Sequence, residues 1–451
     1  MAENRQNRSR RDFLKRLGWG GASAVGMMAI APLNAFGKPE DTVVNPTKMS
    51  IRENRRTGDK VSLLGYGMMR LPSKDRVINQ DMVNQEVDYA LAHGVNYFDT
   101  APVYHGGRSE EAVGIALSRH PRDKYYVATK LSNFGRNQWN LESCKQMYQR
   151  SMELLKVDYI DYYLLHNVGG KGPDEFKSRF EDNGVVEFFR QERKAGRIRN
   201  LGFSFHGSIE TFDYLIDNND DFEWDFVQIQ MNYIDWRHAN AQRGNTDAEY
   251  LYNKLEKAGI QCVIMEPLLG GRLANVPEDV KAMMKEVRPA DSPARWAFRW
   301  VGSHPNVLTV LSGMTTMEVL QENVATYSPL ENCSDSELVL MEKIADKMNG
   351  VPVVPCTYCK YCMPCGFGLN IPENFAIYNK AVTDGILPLP DKAAPDYQSR
   401  LDTVNKLFQK GLNKKQWATK CTDCEACLPK CPQHIRIPNQ MGRIAEILRK
   451  R

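Results

Sequence analysis

Short apolar runs alternate with longer amphipathic stretches between about residues 49 and 328. The short runs have the length of buried strands, and the longer stretches carry apolar residues three or four positions apart, as one face of a helix does. Clear helical examples are Met82–His93, Ser109–Arg119, Leu141–Leu155 and Asp247–Ala258. The pattern predicts seven strands, over Val95–Asp99, Tyr125–Lys130, Tyr159–His166, Asn200–Ser204, Phe226–Met231, Gln261–Met265 and Val307–Ser312. Val61–Tyr66 is the eighth candidate, and its flanks have in part the pattern of a hairpin.

The alternation of strands and helices predicts the α/β class with a parallel sheet. Eight repeats over roughly 250 residues fit a closed (β/α)8 TIM barrel. An open doubly wound sheet is the alternative, which the lack of a GxGxxG motif after the first strand disfavours. In such barrels the chemistry lies where the strands end. The polar residues at these predicted ends are Asp99, Lys130, His166, Ser204 and Gln228.

Eight of the 11 cysteines lie between residues 356 and 431. The other three, Cys144, Cys262 and Cys333, are predicted to be buried and inert. Repeated runs with two residues between cysteines indicate metal binding rather than disulfides, because several sulfurs must converge on one centre. We therefore predict a mainly helical, ferredoxin-like domain at residues 349–451, joined to the barrel by a helical linker at 329–348.

The later cysteine run has the spacing of the bacterial ferredoxin motif, with Pro432 after its last cysteine. Its members are Cys421, Cys424, Cys427 and Cys431. This spacing predicts the ligands of a [4Fe–4S] cluster. Zinc is the alternative, but structural zinc sites usually combine two cysteine pairs across a longer stretch.

The earlier run is one residue shorter and has Gly366 where the motif has proline. Its members are Cys356, Cys359, Cys362 and Cys365. In two-cluster ferredoxins the fourth cysteine of each run binds the cluster of the other run. One cluster is therefore predicted and a second is left open, with Cys431 and Cys365 exchanged between the runs. Ile-Pro pairs at Ile371 and Ile437 follow the two runs at similar offsets and indicate an internal duplication.

The N-terminal 37 residues have a charged start, a moderately apolar middle and small residues near the end, as a signal peptide does. The pair Arg10-Arg11, followed by Asp-Phe-Leu-Lys, resembles the twin-arginine export signal. That route moves folded proteins, which suits a chain whose clusters are built in the cytoplasm. An uncut membrane anchor and a tail without function are the alternatives.

Charge and hydropathy limit the partners. The formal net charge is +4, and residues 1–37 contain six basic and two acidic residues, which leaves 53 of each sign in the remainder. A neutral remainder disfavours nucleic-acid binding, which needs a basic face. No apolar run outside the N-terminal segment approaches ~18 residues, so no other membrane span is predicted.

The predicted strand ends resemble those of the aldo-keto reductase family. The segments Gly65–Pro72 and His93–Ala101, the latter followed by Tyr104, are similar to the family's first two strand signatures. Lys130 and His166, each after its own apolar strand, complete what looks like the family's catalytic tetrad. The resemblance covers roughly residues 49–328. It implies hydride transfer between an NAD(P) cofactor and a carbonyl or alcohol.

The resemblance also implies a role for each member of the tetrad. Tyr104 would be the general acid that protonates the substrate oxygen. The Lys130 ammonium would lower the pKa of Tyr104, and Asp99 would hold that ammonium in place. His166 would donate a hydrogen bond to the substrate oxygen and orient it.

Cofactor contacts are implied by the same resemblance at Ser204, Gln228, Ser312, Gly313, Met314, Gln321 and Asn323. The chain departs from the family pattern at Phe205, where an asparagine is usual, and at Met265, in a segment that normally carries an aromatic residue. No Lys or Arg lies between residues 312 and 323. Because a 2′-phosphate normally pairs with such a charge, the sequence leaves NAD and NADP open.

The sequence therefore predicts an oxidoreductase that acts on a small carbonyl or alcohol, with [4Fe–4S] clusters that either exchange electrons with it or stabilise it. The alternative is a barrel that no longer catalyses, in a protein that transfers electrons or binds a partner. A redox partner protein is expected if the clusters carry electrons. The predicted location is the periplasm or another exported compartment.

Overall fold

The computed structural model describes residues 48–74, 77–170, 172–243, 245–388 and 393–448. The predicted signal segment at 1–37 lies outside these ranges. No helix within them is long and apolar enough to cross a bilayer. The strands are β1 (Ile51–Glu53), β2 (Lys60–Ser62), β3 (Leu64–Gly67), β4 (Ser73–Lys74), β5 (Val77–Ile78), β6 (Tyr97–Asp99), β7 (Tyr126–Leu131), β8 (Ile160–Val168), β9 (Ile198–Phe205), β10 (Phe226–Gln230), β11 (Gln261–Met265) and β12 (Val307–Ser312).

Eight of these strands close into a parallel barrel in the order β10-β11-β12-β3-β6-β7-β8-β9. This confirms the predicted (β/α)8 class and shows that the open-sheet alternative is wrong. The register pairs Gly67 with Asp99 and Ser204 with Gln228, so residues at the strand ends lie at similar heights around one rim.

The first predicted strand is divided in two. Its beginning forms β2, which pairs antiparallel with β1, and its end forms the barrel strand β3. The chain changes partners at Leu63, whose N–H donates to the Ser50 carbonyl at 2.8 Å. Both pieces are apolar, and so the pattern alone merged them.

Helices connect the strands and cover the outside of the barrel. Four of them fall within two residues of the predicted bounds, because each has a clear apolar face. The helices of eight or more residues are Gln80–Ala92, Ser109–Leu117, Leu141–Leu155, Val185–Lys194, Ile209–Asp217, Asp235–Arg243, Ala248–Lys257, Glu278–Val287, Pro293–Gly302, Met317–Thr326, Asp335–Asn349, Ile371–Thr383, Tyr397–Gly411 and Ile437–Leu448. Two short helices, Pro173–Phe176 and Asn219–Phe222, are the other α-helices of the described residues.

Aromatic side chains fill part of the barrel interior. The Tyr162 ring lies 4.9 Å from the ring of Tyr97 and 5.1 Å from that of Phe226, measured between centroids. These rings are buried and pack with aliphatic residues of four other strands. The interior is therefore a packed core, and a site can form only at a rim.

The C-terminal domain has its own hydrophobic core. Three helices supply much of it, through residues such as Phe375, Phe408 and Met441. Two of these helices begin at the Ile-Pro pairs Ile371-Pro372 and Ile437-Pro438, as expected for a duplicated unit. The preceding helix, Asp335–Asn349, packs instead into the core of the barrel.

Candidate active site and iron–sulfur sites

Lys130 and Asp99 form a buried ion pair inside the rim of the barrel. Asp99 ends β6 and Lys130 lies in the neighbouring strand β7. The Lys130 Nζ donates to both carboxylate oxygens of Asp99, at 2.6 and 2.7 Å, and to the Thr100 carbonyl at 2.9 Å. A hydrogen bond with Gln228 also stabilises the Asp99 carboxylate. The ammonium thus has three protein acceptors and a fixed position.

Tyr104 and His166 complete the group that the resemblance implies. Tyr104 begins a short 3₁₀ turn after β6, and His166 lies in β8. The Tyr104 ring centroid is 5.3 Å from the Lys130 Nζ and 6.0 Å from the His166 ring, which it meets edge to face. The structure therefore brings all four side chains together at one rim.

The expected lowering of the Tyr104 pKa is wrong for this structure. Burial raises the pKa of Tyr104 well above 10, and the nearby Tyr361, Asp99 and Glu266 raise it further. The Lys130 charge does not reverse this effect, because Asp99 neutralises it at close range. Tyr104 is therefore a protonated phenol at neutral pH and has a proton to give.

His166 is held as a neutral imidazole. Burial lowers its pKa well below 6.5, and the positive charge of Lys130 adds to that effect. The His166 Nδ1 lies 2.7 Å from the Ser132 hydroxyl. When Ser132 donates to Nδ1, the other ring nitrogen, Nε2, carries the proton and can donate to a ligand.

Part of the implied cofactor set lies together after β12. The Asn323 amide donates to the Ser312 hydroxyl at 3.0 Å, and the Tyr66 hydroxyl donates to the Met314 carbonyl at 2.7 Å. A Cβ on Gly313 would have the Gly67 carbonyl oxygen, at 3.9 Å, as its nearest neighbour. The two glycines leave a strip of bare backbone, which suits close approach of a diphosphate.

The other implied cofactor residues occupy separate positions on the rim. The Ser204 hydroxyl accepts from the Asn167 N–H at 2.9 Å, and Gln228 bonds to Asp99 as described above. Gln321 is half-buried on the helix Met317–Thr326. The structure thus places Ser204 and Gln228 nearer the tetrad, and Gln321 beside the segment after β12.

The first cluster cavity is lined by cysteines from both runs. Its lining includes three cysteines of the first run and the last cysteine of the second, namely Cys356, Cys359, Cys362 and Cys431. The buried hydroxyl of Thr357 lines the same cavity and has no hydrogen-bond partner among the described residues. The sulfide of a cluster would supply that partner.

The second cluster cavity is lined mainly by cysteines of the second run. Its lining contains the first three cysteines of the second run, Cys421, Cys424 and Cys427, together with Cys365 of the first run. Cys362 borders this cavity as well. The exchange of the fourth cysteine that was expected from two-cluster ferredoxins therefore matches both cavities.

The donor chemistry fits iron–sulfur clusters. No disulfide forms among the described residues, which include every cysteine. Burial raises the pKa of Cys356 to about 12 and that of Cys359 to about 11, so these sulfurs need a cationic group in order to be thiolates. No three His, Cys, Asp or Glu side chains in the described ranges could hold a single metal ion. A cubane keeps its four cysteines farther apart, because iron and sulfide lie between them.

The two cysteine runs also share an unusual backbone. Tyr358 and Asp423 have φ values of 58° and 57°, and Lys360 and Glu425 have φ values of 66° and 59°. These pairs occupy equivalent positions in the two runs, which supports the internal duplication. Of the scattered cysteines, Cys144 and Cys262 are buried as predicted, whereas Cys333 is only partly buried.

Sequence reasoning missed the residues that join the cluster domain to the barrel, above all Tyr361. This residue lies between Cys359 and Cys362, and a hydrogen bond joins it to Tyr104. A comparison of the two runs could have found it, because Ala426 stands at the equivalent place in the second run. Glu266 was also missed, although its negative charge acts on both Tyr104 and Tyr361.

Comparison with known families identifies both parts of the chain. The aldo/keto reductase family model matches residues 63–346, and a 4Fe-4S dicluster domain model matches residues 355–436. The chain belongs to the aldo/keto reductase family. It is an NAD(P)-dependent oxidoreductase that carries a 4Fe–4S dicluster domain after its barrel, and its substrate is a small molecule.

Curated relatives match the chain with modest identity. L-galactose dehydrogenase of Arabidopsis thaliana is 26% identical over 314 residues, which cover 66% of this chain and 93% of the relative. NADH-specific methylglyoxal reductase of Escherichia coli is 27% identical, and the match covers 56% of this chain and 85% of the relative. D-arabinose 1-dehydrogenase of Saccharomyces cerevisiae is 28% identical, and the match covers 53% of this chain and 75% of the relative.

Solved structures confirm the fold. The aldo-keto reductase AKR11C1 from Bacillus halodurans superposes with a TM-score of 0.53 at 23% identity, over 66% of this chain and 96% of that one. An aldo-keto reductase from Klebsiella pneumoniae in complex with NADPH gives a TM-score of 0.51 at 21% identity, over 64% of this chain and 92% of that one.

Proposed function

We propose that this protein reduces or oxidises a small hydroxylated carbonyl compound at the barrel rim, with Tyr104 as the proton donor in the direction of reduction. The observation that carries the proposal is the assembly of Tyr104, Lys130, Asp99 and His166 within one buried group. A reduced nicotinamide, when bound, would supply the hydride for the carbonyl carbon.

The side chains have complementary tasks in this reaction. The neutral His166 donates a hydrogen bond to the carbonyl oxygen and orients it, and Tyr104 gives its proton to the same oxygen as the alcohol forms. The Lys130 ammonium lies 5.3 Å from the centroid of the Tyr104 ring, and its ion pair with Asp99 is a fixed dipole next to that ring. Ser312, Gly313, Met314, Gln321 and Asn323 would hold the diphosphate and adenosine end of the cofactor, and Ser204 and Gln228 the nicotinamide end.

A hydroxylated substrate follows from the polar character of the rim. Besides the tetrad, the region carries the Glu266 carboxylate and the Tyr361 hydroxyl, whose oxygens can pair with substrate hydroxyls. The names of two relatives, L-galactose dehydrogenase and D-arabinose 1-dehydrogenase, agree with a sugar-like substrate. Glyceraldehyde should therefore be a better substrate than propionaldehyde, which has the same carbon skeleton without hydroxyls.

Replacement of Tyr104 tests the mechanism. In Tyr104→Phe the proton donor is lost, and we expect kcat for glyceraldehyde reduction to fall by roughly 10²–10⁴-fold. The measurement is nicotinamide oxidation by anaerobically purified holoprotein. Tyr250→Phe, on an exposed tyrosine far along the chain, is the control and should keep wild-type activity. Turnover that survives Tyr104→Phe would contradict the assignment.

A second candidate function is electron transfer with a barrel that does not turn over. The observation in its favour is that a loop of the cluster domain lies against Tyr104. Cys424, at the second cavity, is exposed, so a redox partner protein would meet the clusters on that side. Wild-type holoprotein that reduces none of a panel of aldehydes, but accepts electrons from a reduced ferredoxin, would favour this candidate.

We also propose that residues 1–37 direct export by the twin-arginine route, which would place the mature protein in the periplasm or another exported compartment. The support is the Arg10-Arg11 motif and the moderately apolar stretch that follows it. A chain that carries two clusters gains from a route that accepts folded cargo, because the clusters can then be inserted before export.

A further inference from the structure

The cluster domain reaches the barrel through the loop that carries its first cysteine run. Two contacts anchor this loop near Thr357. Arg70, which follows β3, donates a hydrogen bond to the Thr357 carbonyl. On the other side, a Cβ on Gly270 would overlap the Thr357 backbone, so the two backbones are in direct contact.

A second contact between the cluster domain and the barrel lies near Cys431, the last cysteine of the second run. The Gln433 amide donates to the Gln230 side-chain oxygen at 2.9 Å, and the Gln230 amide lies 3.3 Å from the Gln433 oxygen. Gln230 is the last residue of β10, on the rim that bears the tetrad. Both ends of the first cluster site are thereby fixed to the barrel.

Tyr361 is the side chain of this loop that meets the tetrad. Its hydroxyl is hydrogen-bonded to Tyr104, and its ring centroid lies 6.1 Å from that of Phe134. Phe134 in turn lies 5.0 Å from the His166 ring. Tyr361 therefore contacts the proton donor directly and the imidazole through one aromatic ring.

We propose that the active site is shared between the two domains, and that Tyr361 is a positioning residue which the first cluster site holds against Tyr104. This inference rests on the proposed function and adds a residue from outside the barrel to it. The flanking residues Cys359 and Cys362 line the first cluster cavity, so ligation there fixes both ends of the segment that carries Tyr361. The second run has Ala426 at this place, so the phenol is specific to the run that faces the barrel.

A role in packing alone would require only the Tyr361 ring. The hydroxyl is the group that meets Tyr104, and it fixes the direction in which the Tyr104 proton points. Removal of the hydroxyl should therefore affect the chemical step more than substrate binding. This distinction makes the conservative variant Tyr361→Phe informative.

The first experiment compares Tyr361→Phe with Tyr378→Phe in anaerobic holoprotein. Tyr378 is a buried tyrosine of the same domain whose hydroxyl donates to the Pro352 carbonyl at 3.2 Å, so its loss reports effects on domain stability alone. We expect Tyr361→Phe to lower kcat for glyceraldehyde roughly five- to tenfold, with a smaller change in KM, because one net hydrogen bond is lost. Both variants should keep wild-type iron content.

The second experiment separates the domains without changing any group in the site. Gly270→Ala forces a methyl group into the Thr357 backbone, whereas Gly271→Ala, at φ +95°, meets no described atom within 4 Å. Both substitutions add strain at a left-handed position, so they differ only in the clash. We expect Gly270→Ala to lower kcat and to shift the midpoint potential of one cluster, because solvent exposure tunes that potential. Gly271→Ala should do neither.

The outcomes are distinguishable. If Tyr361→Phe keeps or raises kcat while Tyr104→Phe abolishes turnover, the shared site is overturned and the proposed function stands. If the wild type reduces no aldehyde, the proposed function fails, and the role of Tyr361 fails with it. The cluster potentials need no turnover, so equal potentials in the two glycine variants would overturn the docking independently of activity.

Discussion

Single residues at the rim show how far the sequence can be interpreted on its own. The tetrad positions were predictable, because each follows an apolar strand and a closed barrel brings strand ends to one edge. The pKa of Tyr104 was not predictable. It depends on burial and on Tyr361, more than 250 positions away along the chain, and no local pattern encodes that contact.

Tyr66 and Glu86 give a residue-scale prediction close to the cofactor segment. The Tyr66 hydroxyl lies 2.6 Å from a Glu86 carboxyl oxygen and 2.7 Å from the Met314 carbonyl. One phenol proton cannot serve both acceptors, so a protonated Glu86 resolves the conflict. In agreement, burial raises the pKa of Glu86 to about 7, although the hydrogen bond between Glu86 and Tyr66 opposes that rise.

Glu86→Gln should therefore change the pH dependence of stability. The unfolded chain loses the Glu86 proton near pH 4.5 and the folded protein near pH 7, so this residue costs stability as the pH rises between those values. Relative to the wild type, we expect the free energy of unfolding of the variant to rise by on the order of 3 kcal/mol between pH 4.5 and pH 8. Denaturant unfolding of both proteins at the two pH values measures this free energy. Glu111→Gln, at an exposed carboxyl, is the control, and an equal difference at both pH values would contradict the prediction.

At the scale of elements, periodicity located seven of the eight barrel strands and the four clearest helices. It merged β2 with β3, because the two are adjacent and equally apolar, and only the change of partner at Leu63 separates them. The helix Met317–Thr326 was not among the helices named from periodicity, although two implied cofactor residues, Gln321 and Asn323, lie on it. The charges on this helix bear on which nicotinamide cofactor the protein prefers.

This helix predicts a preference for NADH over NADPH. It carries Glu318 in its first turn and Glu322 one turn later, and no Lys or Arg. A 2′-phosphate beside these carboxylates would be repelled. Gln321→Arg should reverse the trend and lower KM for NADPH at least roughly tenfold, through a charge-assisted hydrogen bond. Steady-state kinetics with both cofactors test it.

Gln321→Met, of similar length and without charge, is the matched control for that change. It should leave the ratio of the two KM values near that of the wild type. Equal use of NADH and NADPH by the wild-type protein would contradict the argument from charge.

At the scale of the whole molecule, composition and cysteine spacing predicted two kinds of domain, and both are present. Their docking was not predictable. It depends on the fit of Gly270 to Thr357 and of Gln230 to Gln433, which are ordinary residues in the linear sequence. Complementarity of this kind has no periodic signature, so only the three-dimensional structure reveals it.

Export provides the prediction at this scale. Arg10→Lys combined with Arg11→Lys should leave the precursor in the cytoplasm of a bacterial host, because the twin-arginine route depends on that pair. Cell fractionation and immunoblotting of the full chain measure it. Arg5→Lys combined with Arg8→Lys keeps the same net charge and should be exported normally. Secretion of the first variant at the wild-type level would contradict the signal assignment.

The crossed lining of the two cysteine cavities has a genetic consequence. Cys365 lines a cavity with cysteines more than 50 positions downstream, and Cys431 closes the cavity of the upstream run. A stop codon anywhere between residues 366 and 420 would thus strip ligands from both centres at once, and even loss of the last 21 residues would leave the upstream centre with three cysteines. Translation must pass Cys427 before the second centre has all its ligands and Cys431 before the first centre has them, so a ribosome stalled before residue 421 carries a chain in which neither ligand set is complete.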